Sequence, residues 1–188
     1  MPSAEELAHA LFGSWRFARL DRGAMRFFDL SHRGVWRSFW SAAICYPGFL
    51  VLLWLRIDAD ALARARLLEI LLIESIGYVI AWCAFPLLIL AFCKAIGREE
   101  KGFDFIVVYN WSQILQTALL LFVAFIVSWI LPDALGPDLN ILAYFTILAY
   151  EWFIALVAIG AGGWIAAAAV LIDVAVGSVV VMISGSLY

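Results

Sequence analysis

The sequence has little of what soluble enzymes commonly use. Only two histidines occur, His9 and His32, both near the N-terminus, which argues against a histidine-based metal or acid–base site. Three cysteines, Cys45, Cys83 and Cys93, are scattered through apolar stretches. Disulfide frameworks and zinc sites need clustered, accessible sulfurs, so these read as small buried hydrophobes. No nucleophile elbow, H-E-x-x-H, P-loop or dinucleotide fingerprint is present, and no cofactor is expected. Gly160-Ala-Gly-Gly163 joins two apolar stretches with no lysine after it, unlike a phosphate cradle. No apolar run precedes the mid-thirties, so the first span is expected to act as its own insertion signal.

Apolar residues are what the chain has in excess. They make up 66% of its 188 residues, against about half in soluble domains. Stretches of about 20 apolar residues can cross ~30 Å of hydrocarbon as helices. Five such stretches stand out, at about 36–55, 67–93, 103–131, 139–159 and 164–187. The expected fold is an all-α integral membrane protein of about five transmembrane helices, preceded by an amphipathic N-terminal interfacial helix. Residues 1–34 form the surface segment and 35–188 the transmembrane domain. Pro86 is expected to kink the second span, and Pro132 to Pro137 to form a tight turn. A continuous helix from Leu139 to Leu187 would be far too long for one bilayer, so the chain should reverse at Gly160 to Gly163.

Ser3-Ala4-Glu5-Glu6 has the form of a capping box and opens a helix towards Leu20. Leu7, Leu11, Phe12, Trp15 and Ala18 recur at helical spacing as one apolar face, and Arg16, Arg19, Arg22 and Arg26 follow on or near the other. That pattern fits a helix in the headgroup layer, its arginines meeting anionic lipid rather than nucleic acid. A helix packed on its own bundle, or on a soluble partner, is the alternative.

Basic residues set the orientation. One side of a five-span chain receives Arg16, Arg19, Arg22, Arg26, Arg33, Arg37, Lys94, Arg98 and Lys101, and the other only Arg56, Arg64 and Arg66. This bias places the N-terminus in the cytoplasm and the C-terminus outside. Abundant alanine and the excess of arginine over lysine point to a bacterial inner membrane.

Three acids fall inside spans: Glu74, Glu151 and Asp173. Each costs a few kcal/mol to insert, which makes it a candidate functional group. Glu151 and Asp173 lie about 10 and 12 residues from the glycine turn, which puts both roughly 15–18 Å deep. Glu151 shares a helical stripe with Ala155, Ala158 and Gly162, and Asp173 one with Ala166, Ala169 and Gly177. Small residues allow close helix approach in lipid, so both stripes should face inward. Asn110, Gln113 and Gln116 reach similar depth from the third span. A midplane polar cluster of Glu151, Asp173, Gln113, Gln116 and Asn110 is therefore expected, with Tyr150 beside it, either as a hydrogen-bonded staple that fixes helix packing or as a proton or cation site.

A basic N-terminal segment before five closely spaced spans resembles the Yip family, five-span proteins named for binding Ypt/Rab GTPases. Phe28-Asp29-Leu30-Ser31, Gly34-Val35-Trp36-Arg37-Ser38-Phe39-Trp40 and Tyr109-Asn110-Trp111-Ser112 are similar to segments of bacterial relatives. The eukaryotic Asp-Leu-Tyr-Gly-Pro signature is replaced, Asp29-Leu30 being followed by Ser31-His32. The resemblance implies a non-enzymatic protein of membrane organisation, an accessory or assembly factor with a membrane-protein partner. The alternative is a proton- or cation-permeation protein, alone or as a homo-oligomer, using Glu151 and Asp173.

Overall fold

A computed structural model describes residues 1–57, 66–130, 132 and 135–187. The structure is all-helical, with no strand among the described residues. Helix α1 (Ala4–Ala18) is followed by a short 3-10 helix (Arg22–Phe27). Helices α2 (His32–Ser38) and α3 (Trp40–Arg56) meet at Phe39, whose backbone is itself helical, so the two act as one rod. The remaining helices are α4 (Leu67–Ala95), α5 (Glu99–Trp129), α6 (Gly136–Ala158) and α7 (Gly163–Gly185). Five segments are long and apolar enough to cross a membrane: His32–Arg56, Leu67–Ala95, Glu99–Trp129, Gly136–Ala158 and Gly163–Gly185. The chain has the architecture of a multi-pass membrane protein. Helix α4 continues through Pro86. Pro137 occupies the first turn of α6, where its missing N–H costs nothing; the rest of the expected turn, at 131, 133 and 134, lies outside the described residues. So does Arg64.

The reversal between α6 and α7 is built on glycine. Gly160 and Gly162 take φ of 65° and 98°, which side chains on Cβ disfavour. Arg98 Nη1 reaches the carbonyl of Ile159 and helps satisfy the α6 C-terminus (3.4 Å). Helix α5 is the axis of the bundle. Its 31 residues make it about 46 Å long. From Phe105 to Ser112 every residue is buried, because α1, α2, α4 and α6 pack around this half. The other half displays Phe122, Phe125 and Trp129, as a lipid-facing helix should. Of the cysteines, Cys45 and Cys93 are buried, whereas Cys83 is exposed on α4.

Helix α1 begins at Ser3, whose hydroxyl accepts the Glu6 N–H (3.0 Å). It crosses the bundle. Glu6 pairs with Arg37 of α2 (2.8 Å), Ser14 faces Ser112 of α5, and Phe17 packs on Phe153 of α6. The packed face is Ala10, Gly13, Ser14 and Phe17, not the larger apolar stripe marked by periodicity. Leu11, Phe12 and Trp15 stay exposed. The reason is steric: Gly13 lets the Phe28 ring approach so closely that a Cβ would stand 2.6 Å from Cε2. In apolar surroundings a helix gains nothing by hiding its largest apolar side chains, so contact geometry decides instead.

The end of α1 is a Schellman turn, with Leu20 N–H bonded to the Phe17 carbonyl and Asp21 N–H to that of Arg16. Glycine usually fills the left-handed position. Here it is Leu20, at φ 59°, which costs about 1–2 kcal/mol for an L-residue. Asp21 then closes the hairpin. Its carboxylate accepts the Gly23 N–H (2.8 Å) and the Arg16 guanidinium, and these hold it below its ordinary value of 3.8. A depressed acid stabilises the fold above its unfolded value, and this contribution vanishes as pH falls through the folded one. Asp21→Asn should therefore speed amide exchange over residues 19–27 at neutral pH. The difference from wild type should disappear in strong acid; equal exchange at both pH values would exclude the role.

Candidate functional site

The alanines of the two small-residue stripes face inward, whereas Gly162 is exposed and Gly177 half-buried. Glu151, Ala155 and Ala158 of α6 are buried, as are Ala166 and Ala169 of α7. These alanines let the two helices pack closely after the glycine turn, and this brings their acids together. Glu151 is only 3% exposed. Gln116, Gln113 and Asp173 are the side chains that face its carboxyl. Asp173 also accepts a short hydrogen bond from the Tyr109 hydroxyl of α5 (2.6 Å).

This cluster is not fully satisfied internally. Glu151 Oε2 and Gln116 Nε2 are buried and have no hydrogen-bond partner among the described residues, and the same holds for Asn110 Oδ1 in the wall of a flanking cleft and Glu6 Oε1 in the N-terminal cap. A buried polar atom without a partner costs about 1–3 kcal/mol, so such atoms call for an explanation. No lysine or arginine pairs with the acids among the described residues, the ion pairs there being Arg16–Asp21, Arg37–Glu6 and Lys101–Asp104.

Two clefts flank the cluster. The larger, about 400 Å³, is lined by Gln116, Thr117, Tyr144, Glu151 and Ser178 among others. The smaller, about 180 Å³, lies against Trp82, Phe85 and Pro86 of α4 and includes Asn110. Tyr109, Gln113, Asp173 and Gly177 belong to both walls. The Tyr109–Asp173 hydrogen bond thus stands in the partition between them. The polar side chains of the cluster, Glu151, Asp173, Gln113, Gln116 and Tyr109, are carboxylates, amides and a hydroxyl, and oxygen donors of this kind suit protons and hard cations. No group of three or more His, Cys, Asp or Glu placed to hold a metal ion occurs among the described residues.

The other expected members sit apart. Asn110 bonds the Ser38 hydroxyl (2.9 Å) and reaches the site only as part of the smaller cleft's wall. Tyr150 donates to the Ser14 carbonyl (2.9 Å), tying α6 to α1 rather than joining the acids. Glu74 accepts from Ser184 near the far end of α7 (2.9 Å), away from the cluster. Of the four arginines, Arg16 is engaged by Asp21, while Arg19, Arg22 and Arg26 are exposed, the last lying over the Phe27 ring (5.0 Å). Tyr109 is the member sequence reasoning missed. It lies four residues before Gln113, one helical turn away, and that spacing was the available signal.

No family model, curated protein or solved structure matches this chain.

Proposed function

We propose that the chain is a non-catalytic membrane protein that binds a proton or small hard cation at Glu151 and Asp173 and passes it between the two clefts. One observation carries the reading: buried Glu151 Oε2 and Gln116 Nε2 lack partners although amide and carboxyl groups surround them. A staple between helices gains its ~1–2 kcal/mol per contact by closing such bonds. A site that exchanges a proton or ion leaves donors and acceptors for it. Reconstitution into vesicles tests this, with flux compared among wild type, Glu151→Gln and Asp173→Asn. Flux that survives both substitutions would sink it.

A second reading is supported by the N-terminal cap: a Yip-like organising or accessory factor. Arg19, Arg22 and Arg26 stand exposed beside exposed Phe12 and Trp15, a surface suited to anionic headgroups or a membrane-protein partner. In this reading the cap is cytoplasmic and the C-terminus lies across the membrane, an orientation that the excess of Lys and Arg on the N-terminal side favours. Purification in mild detergent separates the two readings. A stoichiometric companion favours the accessory role, and a lone chain or homo-oligomer favours permeation.

A further inference from the structure

The smaller cleft has a chemistry of its own. Its walls come from α4, α5 and α7, with Asp173 as its one acid and no base among the described residues that line it. Ala81, Trp82, Phe85, Pro86 and Val176 make most of the remaining lining apolar. At about 180 Å³ it is several times the ~30 Å³ share of one water, far more room than a bare metal ion fills.

Its unsatisfied polar atoms are acceptors. Ser38 donates its hydroxyl hydrogen to the Val35 carbonyl (2.7 Å), so its oxygen can only accept from Asn110 (2.9 Å). That turns Asn110 Nδ2 towards Ser38 and leaves Oδ1 buried without a partner. Pro86 has no N–H, so the Trp82 carbonyl four residues before it loses its helical donor although α4 runs on. Trp82, Pro86 and Asn110 all line this cleft, and Asp173 adds a carboxylate to the same wall. A metal ion would use these oxygens but not the apolar surface beside them. A primary ammonium carries one positive charge and three N–H donors, and an alkyl stem suits the apolar lining. Aromatic rings such as those of Trp82 and Phe85 add attraction for a cation.

We propose that the smaller cleft binds a primary alkylammonium ion, its N–H groups on Asp173, Asn110 Oδ1 and the Trp82 carbonyl and its stem against Phe85, Pro86 and Val176. This site rests on the reading of Asp173 as an exchangeable acid, and it gives that acid an organic cation to exchange.

Isothermal titration calorimetry of the full chain in detergent, with n-butylammonium chloride at neutral pH, tests it. Wild type should show one saturable site. Tetramethylammonium has the charge but no N–H, and potassium has neither donor nor stem, so each should bind about tenfold or more weakly. Asp173→Asn should weaken butylammonium binding by about 10- to 150-fold. Pro86→Ala returns an N–H to the Trp82 carbonyl, so affinity should fall about 2- to 10-fold in a helix that is better bonded. A Cβ on Gly177, which also lines the cleft, would meet nothing within 4 Å. Gly177→Val should therefore fill the space without disturbing the fold, and abolish binding. No saturable heat in wild type, equal affinity for tetramethylammonium or potassium, or wild-type affinity in any of the three variants would overturn the site. Absent butylammonium binding beside flux that still falls in Glu151→Gln removes this site and leaves the permeation reading. Butylammonium binding in a protein that passes no ion does the reverse.

Discussion

Glu151→Gln should lower proton or cation flux into reconstituted vesicles by about 10- to 150-fold, with the protein still folded. The size follows from taking one carboxylate ligand away from the bound proton or cation, a charge-assisted contact worth ~1.5–3 kcal/mol. Glutamine has nearly the same shape, so the close packing of α6 on α7 survives. It also replaces an oxygen that lacks a donor with an amide that can bond within the cluster. Stability should therefore hold or rise while flux falls, a combination that a staple does not produce. Asp173→Asn should act in the same direction, because Asp173 lines both clefts. Glu74→Gln is the control. Glu74 sits on α4 with Ser184 as partner, away from both cleft walls, and its replacement should leave flux unchanged.

Gly34→Ala should cost about 1–3 kcal/mol or more and release the N-terminal cap from the bundle. Gly34 is the third residue of α2, and its N–H is held by the Ser31 hydroxyl (3.1 Å). A Cβ there would collide with the Asp29 carbonyl oxygen and lie 2.7 Å from its carbon. Both are backbone atoms that cannot rotate away. Asp29 in turn accepts the Ser31 N–H (3.1 Å), so the whole Asp29–Gly34 turn must open to admit a methyl group. Phe28 precedes that turn and packs against Gly13 and Phe17 of α1, so the displacement passes directly to the cap. Limited proteolysis reads the outcome. Cleavage after Arg19 or Arg22 should become rapid in the variant, and resistance equal to wild type would contradict the account.

Most of the architecture was legible because lipid imposes a simple rule. Backbone groups must be paired inside the hydrocarbon, so long apolar stretches have to be helices, and charged links mark their ends. The glycine reversal was legible for the same reason, since one helix from Leu139 to Leu187 could not fit a bilayer. Glu151, Asp173, Gln113 and Gln116 could be brought together by depth and by the alanine stripes alone. Asn110 and Tyr150 could not be placed so easily. Depth says nothing about azimuth around α5 and α6, and Ser38 and Ser14 took their hydrogen bonds. The cap was the least legible part. Its periodicity marked the large apolar residues, but the packed face was chosen by Gly13 and Ser14, which fit closely against Phe28 and Tyr150. Hydrophobic patterning loses its force where the surroundings are themselves apolar.

The central claim is that Glu151 and Asp173 form an exchangeable site for a proton or hard cation. Infrared difference spectroscopy of the carboxyl C=O stretch, on stepping pH or adding sodium to reconstituted protein, tests it most directly. The account predicts a carboxyl band that responds in wild type and is altered or lost in both Glu151→Gln and Asp173→Asn. A spectrum with no responding band, or one unchanged in both variants, would contradict it.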